Sequence, residues 1–251
     1  MSVDFLRCSD LTPREVRKKV LQQISGFLES MGKSIASFGL VSNDLSSFDV
    51  ENQTSEWLAE RSIIVREEDL NAISLLNEKQ RHAFEIISHR IYENKSGAFL
   101  VDGPGGIEKS FIYRALLADV RSKGYLALAI ATLGIATSIL LGGRTAHSRF
   151  KIPIDLSEGR ACRVSKQSSL AAMIRESKLT IWDEAPMSKG SAIEALNDLL
   201  QDLMNSSEIF GAKVVVFGGD FRQTFPVVIR GNQSETINAC MINYLRLLML
   251  A

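Results

Sequence analysis

The stretch from Asp102 to Phe111 reads DGPGGIEKSF, and its glycines, lysine and serine have nearly the spacing of a phosphate-binding loop. In the pattern G-x-x-x-x-G-K-[ST], Gly103 is the first glycine, Lys109 the lysine and Ser110 the hydroxyl residue, but Glu108 replaces the second glycine. Backbone amides of such a loop surround phosphates at a helix N-terminus, while the lysine and the hydroxyl serve the phosphates and Mg²⁺. The stretch therefore predicts a nucleoside triphosphate site in which Glu108 places a negative charge where the pattern has a glycine.

Two other groups of polar residues follow apolar runs that predict buried strands. The run LTIWDE ends in the adjacent carboxylates Asp183 and Glu184, and the run VVVFGGDFRQ ends in a glycine turn and Gln223. An acid at such a position can hold Mg²⁺, and its neighbour can polarise an attacking water. Taken alone, an Asp-Glu pair at a strand end is usually a solvated turn. Parallel strands end at one sheet edge, however, so we expect Lys109, the acid pair and Gln223 to converge there.

The elements that would position these groups alternate between strands and helices from about Leu70 onward. Asn77 can cap a helix, with Gln80 reaching back from the third helical position. Short apolar runs predict strands, and residues with helical periodicity predict helices between them. The predicted strands are Ala98–Val101, Leu126–Ala131, Leu179–Trp182 and Lys213–Gly218, and the predicted helices include Phe111–Val120 and Ile193–Met204. This alternation is typical of an α/β fold with a parallel sheet covered on both faces.

The first part of the chain has a different pattern. Thr12 begins a capping box with Pro13 at the first helical position, which predicts an N-terminal helix. From Ser42 to Asp69 there are eight acidic and two basic residues, which we interpret as a solvated linker or surface segment. We therefore expect an N-terminal helical extension with an acidic linker at 1–69, followed by the α/β domain at 70–251.

Composition excludes several classes of protein. The 251 residues are 45% hydrophobic with zero formal net charge, so composition is ordinary for a globular protein and gives no global argument for nucleic acid binding. The scattered cysteines, Cys8, Cys162 and Cys240, indicate neither a disulfide framework nor a zinc site. Because the N-terminus lacks signal-peptide and transit-peptide features, we expect an intracellular protein. The uncharged run Tyr125–Leu141 is at the short limit for a membrane span, but a buried strand turning into a helix also explains it.

Four of these stretches, taken in order, resemble the motifs of the PIF1-like DNA helicases of superfamily 1. They are GPGGIEKS, the segment TLGIATSILLGGRTAHS at Thr132–Ser148, IWDEAPM and GGDFRQTFPVV, and LNEKQ at Leu76–Gln80 is similar to the family's adenine-recognising Gln motif. The resemblance covers roughly Leu70 to Val228. It implies a RecA-like P-loop NTPase domain, ATP and Mg²⁺ as cofactors, and DNA as the partner. The implied function is ATP-dependent DNA unwinding in repair, recombination and telomere maintenance, with the nucleus as the location.

The resemblance also assigns roles to individual residues. It implies that Glu184, Lys109 and Gln223 are catalytic, that Ser110 and Asp183 hold the metal, and that a larger set binds the nucleotide. The nucleotide-binding set is Gln80, Gly103, Gly105, Gly106, Lys109 and Ser110. Gln80 would read adenine, although a helix-capping role explains it as well. His147 would lie near the strand-binding surface, although a lone histidine is more often an ordinary loop residue.

A basic segment gives DNA binding some support of its own. From Gly143 to Lys178 there are eight basic and three acidic residues, with Phe150 among them. Such a segment can neutralise backbone phosphates, and an aromatic side chain can stack on a base. A mixed solvated face has the same composition, so both interpretations stay open at this point.

Two departures from the family pattern predict an impaired motor. At roughly 5 Å and an effective dielectric near 20, Glu108 would repel one phosphate charge by about 3 kcal/mol, around a hundredfold in affinity. A glutamate in the first turn of a helix is nevertheless stabilising, so folding should tolerate it. Ile107, in place of the family's usual threonine, is of lesser concern. After Val228 the resemblance fades into CMINYLRLLMLA, so we expect no second RecA-like domain and no arginine fingers from it.

Two other functions are consistent with these residues. A degenerate or regulatory helicase fragment would bind single-stranded DNA without turnover, and its binding would be indifferent to ATP. An unrelated P-loop kinase or transport ATPase would need a phosphoacceptor or transporter signature, and the sequence contains none that we identify.

Overall fold

The computed structural model describes residues 56–103, 107–137, 139–153, 161–220 and 241. The chain divides into two compact units, Met1–Asp49 and Val50–Ala251, and all of the described residues belong to the second unit. The helix predicted from Thr12 lies outside the described residues, and the domain boundary at 69/70 stays a prediction.

The described part of the chain contains a five-stranded parallel sheet with strand order β1-β5-β4-β2-β3. The strands are β1 at Gly97–Asp102, β2 at Ala127–Ala131, β3 at Arg144–Thr145, β4 at Leu179–Asp183 and β5 at Val214–Gly219. The four predicted strands and the α/β class are thus confirmed, whereas the two-residue β3 is too short to give a sequence signal.

Three strands form the middle of the sheet, and every residue of β2, β4 and β5 is buried. Leu179 pairs with Ala127 on one side and with Val214 on the other, so the apolar runs lie in register. Strands that are covered on both faces need apolar residues at consecutive positions, which is why their sequences are continuous rather than alternating.

Helices cover both faces of the sheet. They are α1 at Glu67–Ser74, α2 at Glu78–Tyr92, α3 at Ile107–Ser122, α4 at Gly134–Thr137, α5 at Ala146–Phe150, α6 at Ser169–Glu176 and α7 at Gly190–Met204, with 3₁₀ turns at Ala185–Met187 and Ile209–Ala212. Leu116 of α3 packs on one face with Ile181 and Val216, and Leu196 of α7 packs on the other with Trp182 and Phe217. These two apolar cores hold the strand ends in fixed positions.

The predicted capping box at the start of α2 is confirmed. The Asn77 side chain accepts a hydrogen bond from Gln80 N at 2.9 Å, and the Gln80 side chain accepts one from Asn77 N at 3.0 Å. The run at 125–141 forms β2, a turn and the short α4, as the strand interpretation requires. None of the described helices has the length and apolar character needed to cross a membrane.

The acidic segment is not solvated throughout. Residues 56–61 are helical, and α1 packs against α3. Glu60 is 5% exposed and forms ion pairs with Arg121 and Arg149, while Asp69 forms an ion pair with Arg114. The interpretation as a solvated linker is therefore wrong for Glu60 and Asp69, which are buried and paired with arginines of the α/β domain, whereas the exposed Glu67 and Glu68 agree with a surface segment.

Candidate functional site

A cavity of about 690 Å³ extends along α3 from its first turn and reaches the end of β4 at the carboxyl edge of the sheet. Its lining includes Lys109 and Ser110 from the first turn of α3, and Asp183 and Glu184 from the end of β4. The two pairs are more than seventy positions apart in the chain, and the parallel sheet brings them to one cavity. The predicted convergence of the first two strand ends is therefore confirmed.

Lys109 is hydrogen-bonded to Gly103, the residue that follows β1. Lys109 is 6% exposed, and its Nζ donates a hydrogen bond to Gly103 O at 2.6 Å. Gly103 N in turn donates to Gly219 O at the end of β5, at 3.3 Å. The ammonium group is consequently held close to Gly103, whose backbone is attached to the neighbouring strand β5.

The acid pair is held in a costly arrangement. Asp183 is 5% exposed and accepts a hydrogen bond from Glu184 N at 2.9 Å. Burial and the charge of Glu184 raise the pKa of Asp183, while the hydrogen bond from Glu184 N and the charge of Lys109 lower it, and the net shift is upward. Glu184 itself adopts the left-handed conformation, with φ 51° and ψ 36°. Such a conformation at a non-glycine residue costs about 1–3 kcal/mol and is found mainly at functional sites.

The end of β4 is tied to the turn that follows β2. Thr132 N donates to Asp183 O at 3.1 Å, and Trp182 Nε1 donates to Thr132 Oγ1 at 3.0 Å. Thr132 begins the segment TLGIATSILLGGRTAHS, so this segment contacts Asp183 through its backbone and Trp182 through its side chain. Sequence reasoning assigned no role to Thr132, and its place directly after a predicted strand was the available signal.

Two glycines at the end of β5 permit close packing beneath the site. A Cβ on Gly218 would lie 1.5 Å from the Tyr113 hydroxyl, and one on Gly219 would lie 2.3 Å from Pro186 Cδ. Tyr113 is fully buried, and its hydroxyl has no hydrogen-bond partner among the described residues. Burial, together with the charges of Asp183 and Glu184, raises the pKa of Tyr113 well above its usual value. Sequence reasoning missed this tyrosine, although it lies one helical turn after Lys109.

The remaining predicted site residues are placed as follows. Gly105, Gly106 and Gln223 lie outside the described residues, and Glu108 lies in the first turn of α3. Gln80 caps α2 and does not line the cavity, so its adenine-reading role stays a prediction. His147 is half-buried on α5, and burial lowers its pKa.

The basic segment differs from its predicted appearance. Phe150 is fully buried in the core and is not available to stack on a base, so that prediction is wrong. Arg149 is 1% exposed and pairs with Glu60, and Arg144 pairs with Glu56 at 2.6 Å. A count of charges in the sequence overestimated the positive surface, because carboxylates from distant segments neutralise part of it.

Comparison with known proteins gives the same family as the ordered motifs. The model of the PIF1-like helicase family matches residues 75–246, which is more than half of the chain. The ATP-dependent DNA helicase Pif1 of Bdellovibrio bacteriovorus is 34% identical over 162 residues, covering 63% of this chain and 34% of the relative. The ATP-dependent DNA helicase RRM3 of Saccharomyces cerevisiae is 26% identical over 160 residues, covering 62% of this chain and 22% of the relative.

Solved structures resemble the fold. A structure of DNA unwinding at forked dsDNA by two coordinating Pif1 helicases matches with a TM-score of 0.52 at 25% identity, over 64% of this chain and 37% of the other. The Pif1 helicase from Bacteroides in complex with ADP-AlF3 and ssDNA matches with a TM-score of 0.55 at 22% identity, over 68% and 39%, and supports the fold alone. The chain spans 14% to 34% of the lengths of the curated relatives it matches. With a parallel sheet of RecA-like type, its motifs in order and a matching family model, the chain belongs to the PIF1-like helicase family.

Proposed function

We propose that this chain contains the nucleotide-binding core of an ATP-dependent DNA helicase, with ATP hydrolysis at the cavity beside the first turn of α3 and the end of β4. The observation that carries the proposal is the shared lining of that cavity by Lys109, Ser110, Asp183 and Glu184. An ammonium group, a hydroxyl and two carboxylates are the groups that P-loop NTPases place around a triphosphate and its metal ion.

Each of these residues has a distinct role in the proposal. Lys109 binds the β- and γ-phosphates, assisted by backbone amides at the start of α3. Ser110 and Asp183 supply hard oxygen ligands of the kind that Mg²⁺ prefers, and when bound the ion neutralises charge on the phosphates. No cluster of three metal-ligand side chains occurs in the described ranges, which suits an ion that takes further ligands from phosphates and water. Glu184 orients and deprotonates the attacking water.

Further residue roles and a partner complete the proposal. Gln223 would contact the γ-phosphate, Gly105 and Gly106 would give their amides to the phosphates, and Gln80 would read adenine. DNA, as a single strand or an unwinding junction, is the proposed partner, since relatives are named ATP-dependent DNA helicases and a matching structure of two Pif1 helicases concerns unwinding at forked dsDNA. Repair, recombination and telomere maintenance in the nucleus are the proposed setting.

Glu108 decides how well the site works in this chain. It lies in the first turn of α3, one residue before the lysine that would bind phosphate. Repulsion of about 3 kcal/mol from one phosphate charge would weaken nucleotide binding around a hundredfold. We therefore propose that ATP binding and unwinding are impaired here, and that the fold itself is not.

A titration with a fluorescent ATP analogue and Mg²⁺ tests both statements. The purified chain is compared with Glu108→Gly, which should bind about a hundredfold more tightly. Lys109→Ala in the Glu108→Gly background is the matched control and should lose saturable binding. If neither the native chain nor Glu108→Gly binds nucleotide, the ATPase proposal is wrong; if the two bind equally, only the electrostatic argument fails. DNA binding that is present and indifferent to Mg-ATP would favour the non-catalytic fragment instead.

A further inference from the structure

We propose that Glu60 is a positioning residue that joins α3, the helix after the phosphate loop, to the Thr132–Ser148 segment. Through this connection, nucleotide binding at the start of α3 would change the conformation of the Thr132–Ser148 segment. The proposal rests on the function proposed above, because it concerns how the same site communicates. It assigns a role to the segment before α1, which lies outside the region that the family model matches.

Both oxygens of the Glu60 carboxylate are used. Oε1 accepts a hydrogen bond from Arg121 Nη2 at 2.9 Å, and Oε2 accepts one from Arg149 Nη2 at 2.7 Å. The three side chains are only 1% to 6% exposed. Arg121 lies in the last turn of α3 and Arg149 lies in α5, so one buried carboxylate holds two helices together.

The same two arginines also donate hydrogen bonds to the loop between α4 and β3. Arg121 donates to Leu141 O at 2.8 Å and to Ala127 O at 2.9 Å, and Arg149 donates to Gly142 O at 3.2 Å. The carbonyl groups of Leu141 and Gly142 are therefore fixed by the same pair of guanidinium groups that Glu60 bridges. This loop is the LGG part of the segment TLGIATSILLGGRTAHS, which resembles a motif of the family.

Gly142 shows how closely the segment before α1 approaches this loop. Its φ is +75°, and a Cβ there would lie 2.5 Å from Ile63 Cδ1 and 3.3 Å from Glu60 Oε1. Only glycine fits this conformation and this contact without strain. The loop is thus packed directly against the chain that carries Glu60, in addition to its hydrogen bonds with the arginines.

A continuous path runs from the phosphate site to Glu60. Lys109 and Arg121 are twelve positions apart on one unbroken helix, which is about 18 Å at 1.5 Å per residue. Lys109, Arg121 and Leu141 also line one cavity, so the phosphate end and the loop border the same space. A shift of α3 on nucleotide binding would reach the loop through Arg121, and the carboxylate of Glu60 would pass it on to α5.

Glu60 could instead form a static ion pair that stabilises the fold and does not connect the nucleotide site to the loop. The structural role and the positioning role predict different patterns of hydrogen–deuterium exchange when Glu60 is replaced. Removal of Glu60 leaves two buried guanidinium groups facing one another, and burial already lowers the pKa of both arginines. If Glu60 only holds the fold, its loss should raise exchange by a similar factor throughout the protein. If Glu60 is a positioning residue, the effect should be concentrated at 139–150 and the end of α3.

Hydrogen–deuterium exchange of the whole chain tests this, with Glu60→Gln compared with the native protein. We expect exchange at 139–150 to rise at least about tenfold more than exchange in α7, in addition to any rise throughout the protein that follows from lower global stability. Glu176→Gln is the matched control, because it makes the same chemical change in the exposed pair with Arg61. If Glu60→Gln fails to fold, Glu60→Asp keeps the charge but is too short to reach both arginines, and the same local pattern is expected.

The effect of Mg-ATP on exchange at 139–150 also separates the two roles, because a Glu60 that only stabilises the fold would not be needed for this effect. In the Glu108→Gly background, Mg-ATP should slow exchange at 139–150, and Glu60→Gln should abolish this protection while nucleotide affinity changes less than about threefold. Uniform exchange throughout Glu60→Gln, no rise at 139–150, or protection that survives the substitution would overturn the inference. If no variant binds Mg-ATP, the proposed ATPase function fails, whereas exchange without nucleotide still decides whether Glu60 positions the loop.

Discussion

Glu60 and Asp183 are both 5% exposed, yet the protein surrounds the two carboxylates in opposite ways. Glu60 lies between two arginines, with a separate guanidinium for each oxygen. Asp183 accepts a backbone hydrogen bond from the residue after it, lies beside a second acid and has no ion pair among the described residues. The first carboxylate is neutralised by its surroundings, whereas the second is left with an excess of negative charge at a cavity.

This difference separates a structural acid from a binding acid. A buried carboxylate with two guanidinium partners is stable as it stands and has no capacity for a further cation. A buried carboxylate whose pKa burial raises is destabilising until a cation arrives, and such residues cluster at functional sites. The same substitution, carboxylate to amide, should consequently have opposite effects on stability at the two positions.

Glu184→Gln should have the largest effect, and it acts on chemistry alone. Loss of a general base lowers rates by about 10²- to 10⁴-fold, while nucleotide affinity should stay nearly unchanged because Lys109 and Ser110 are intact. Steady-state phosphate release in the Glu108→Gly background, beside direct titration of Mg-ATP, measures the two effects separately. Hydrolysis within threefold of the parent would assign the base to another residue.

Glu60→Gln should cost about 3–5 kcal/mol of unfolding free energy, since removing one partner of a buried ion pair leaves the others uncompensated. Urea denaturation monitored by Trp182 and Trp57 fluorescence measures the change, with the exposed Glu176→Gln expected to stay within about 0.5 kcal/mol. A loss below about 1 kcal/mol would show that Glu60 does not hold the two arginines as described.

Gly142→Ala should destabilise the same region by a smaller amount. A residue with a Cβ pays about 1–2 kcal/mol for the left-handed conformation, and the contact with Ile63 would add to this. Gly124→Ala is a matched control, because φ there is +80° but a Cβ would meet nothing within 4 Å. If the two substitutions have equal effects on the urea midpoint, the contact at Gly142 contributes nothing.

The position of the acid pair could be predicted from the sequence, whereas the ion pairs of Glu60 could not. Buried parallel strands are continuous apolar runs, so the end of β4 and the convergence of Lys109 with Asp183 followed from the pattern. Glu60, by contrast, pairs with residues 61 and 89 positions away, and no local pattern announces such a partner. The prediction that Phe150 stacks on a base was wrong for a related reason. Basic residues around an aromatic residue do not show which face of a short helix packs against the core.

Asp183→Asn should have the smallest effect and the opposite sign to Glu60→Gln. The asparagine keeps an oxygen that can accept the hydrogen bond from Glu184 N, while the buried charge is removed. Without Mg²⁺ or nucleotide we expect a gain on the order of 1 kcal/mol at neutral pH, as is common when a strained binding group is neutralised. The exposed Asp202→Asn serves as the control and should change stability little.

The pH dependence of that gain follows from the direction of the shift. Because the pKa of Asp183 is raised in the folded chain, its favourable contribution is complete below the ordinary aspartate pKa of about 3.9 and is lost as pH rises through the raised value. Asp183→Asn removes this loss, so its advantage over the native protein should grow with rising pH and vanish toward acid. Urea unfolding at several values from about pH 3.5 to neutral pH, a range that begins below the ordinary aspartate pKa, measures it. A variant less stable than the native protein, or an advantage that is constant with pH, would show that Asp183 is as well neutralised as Glu60.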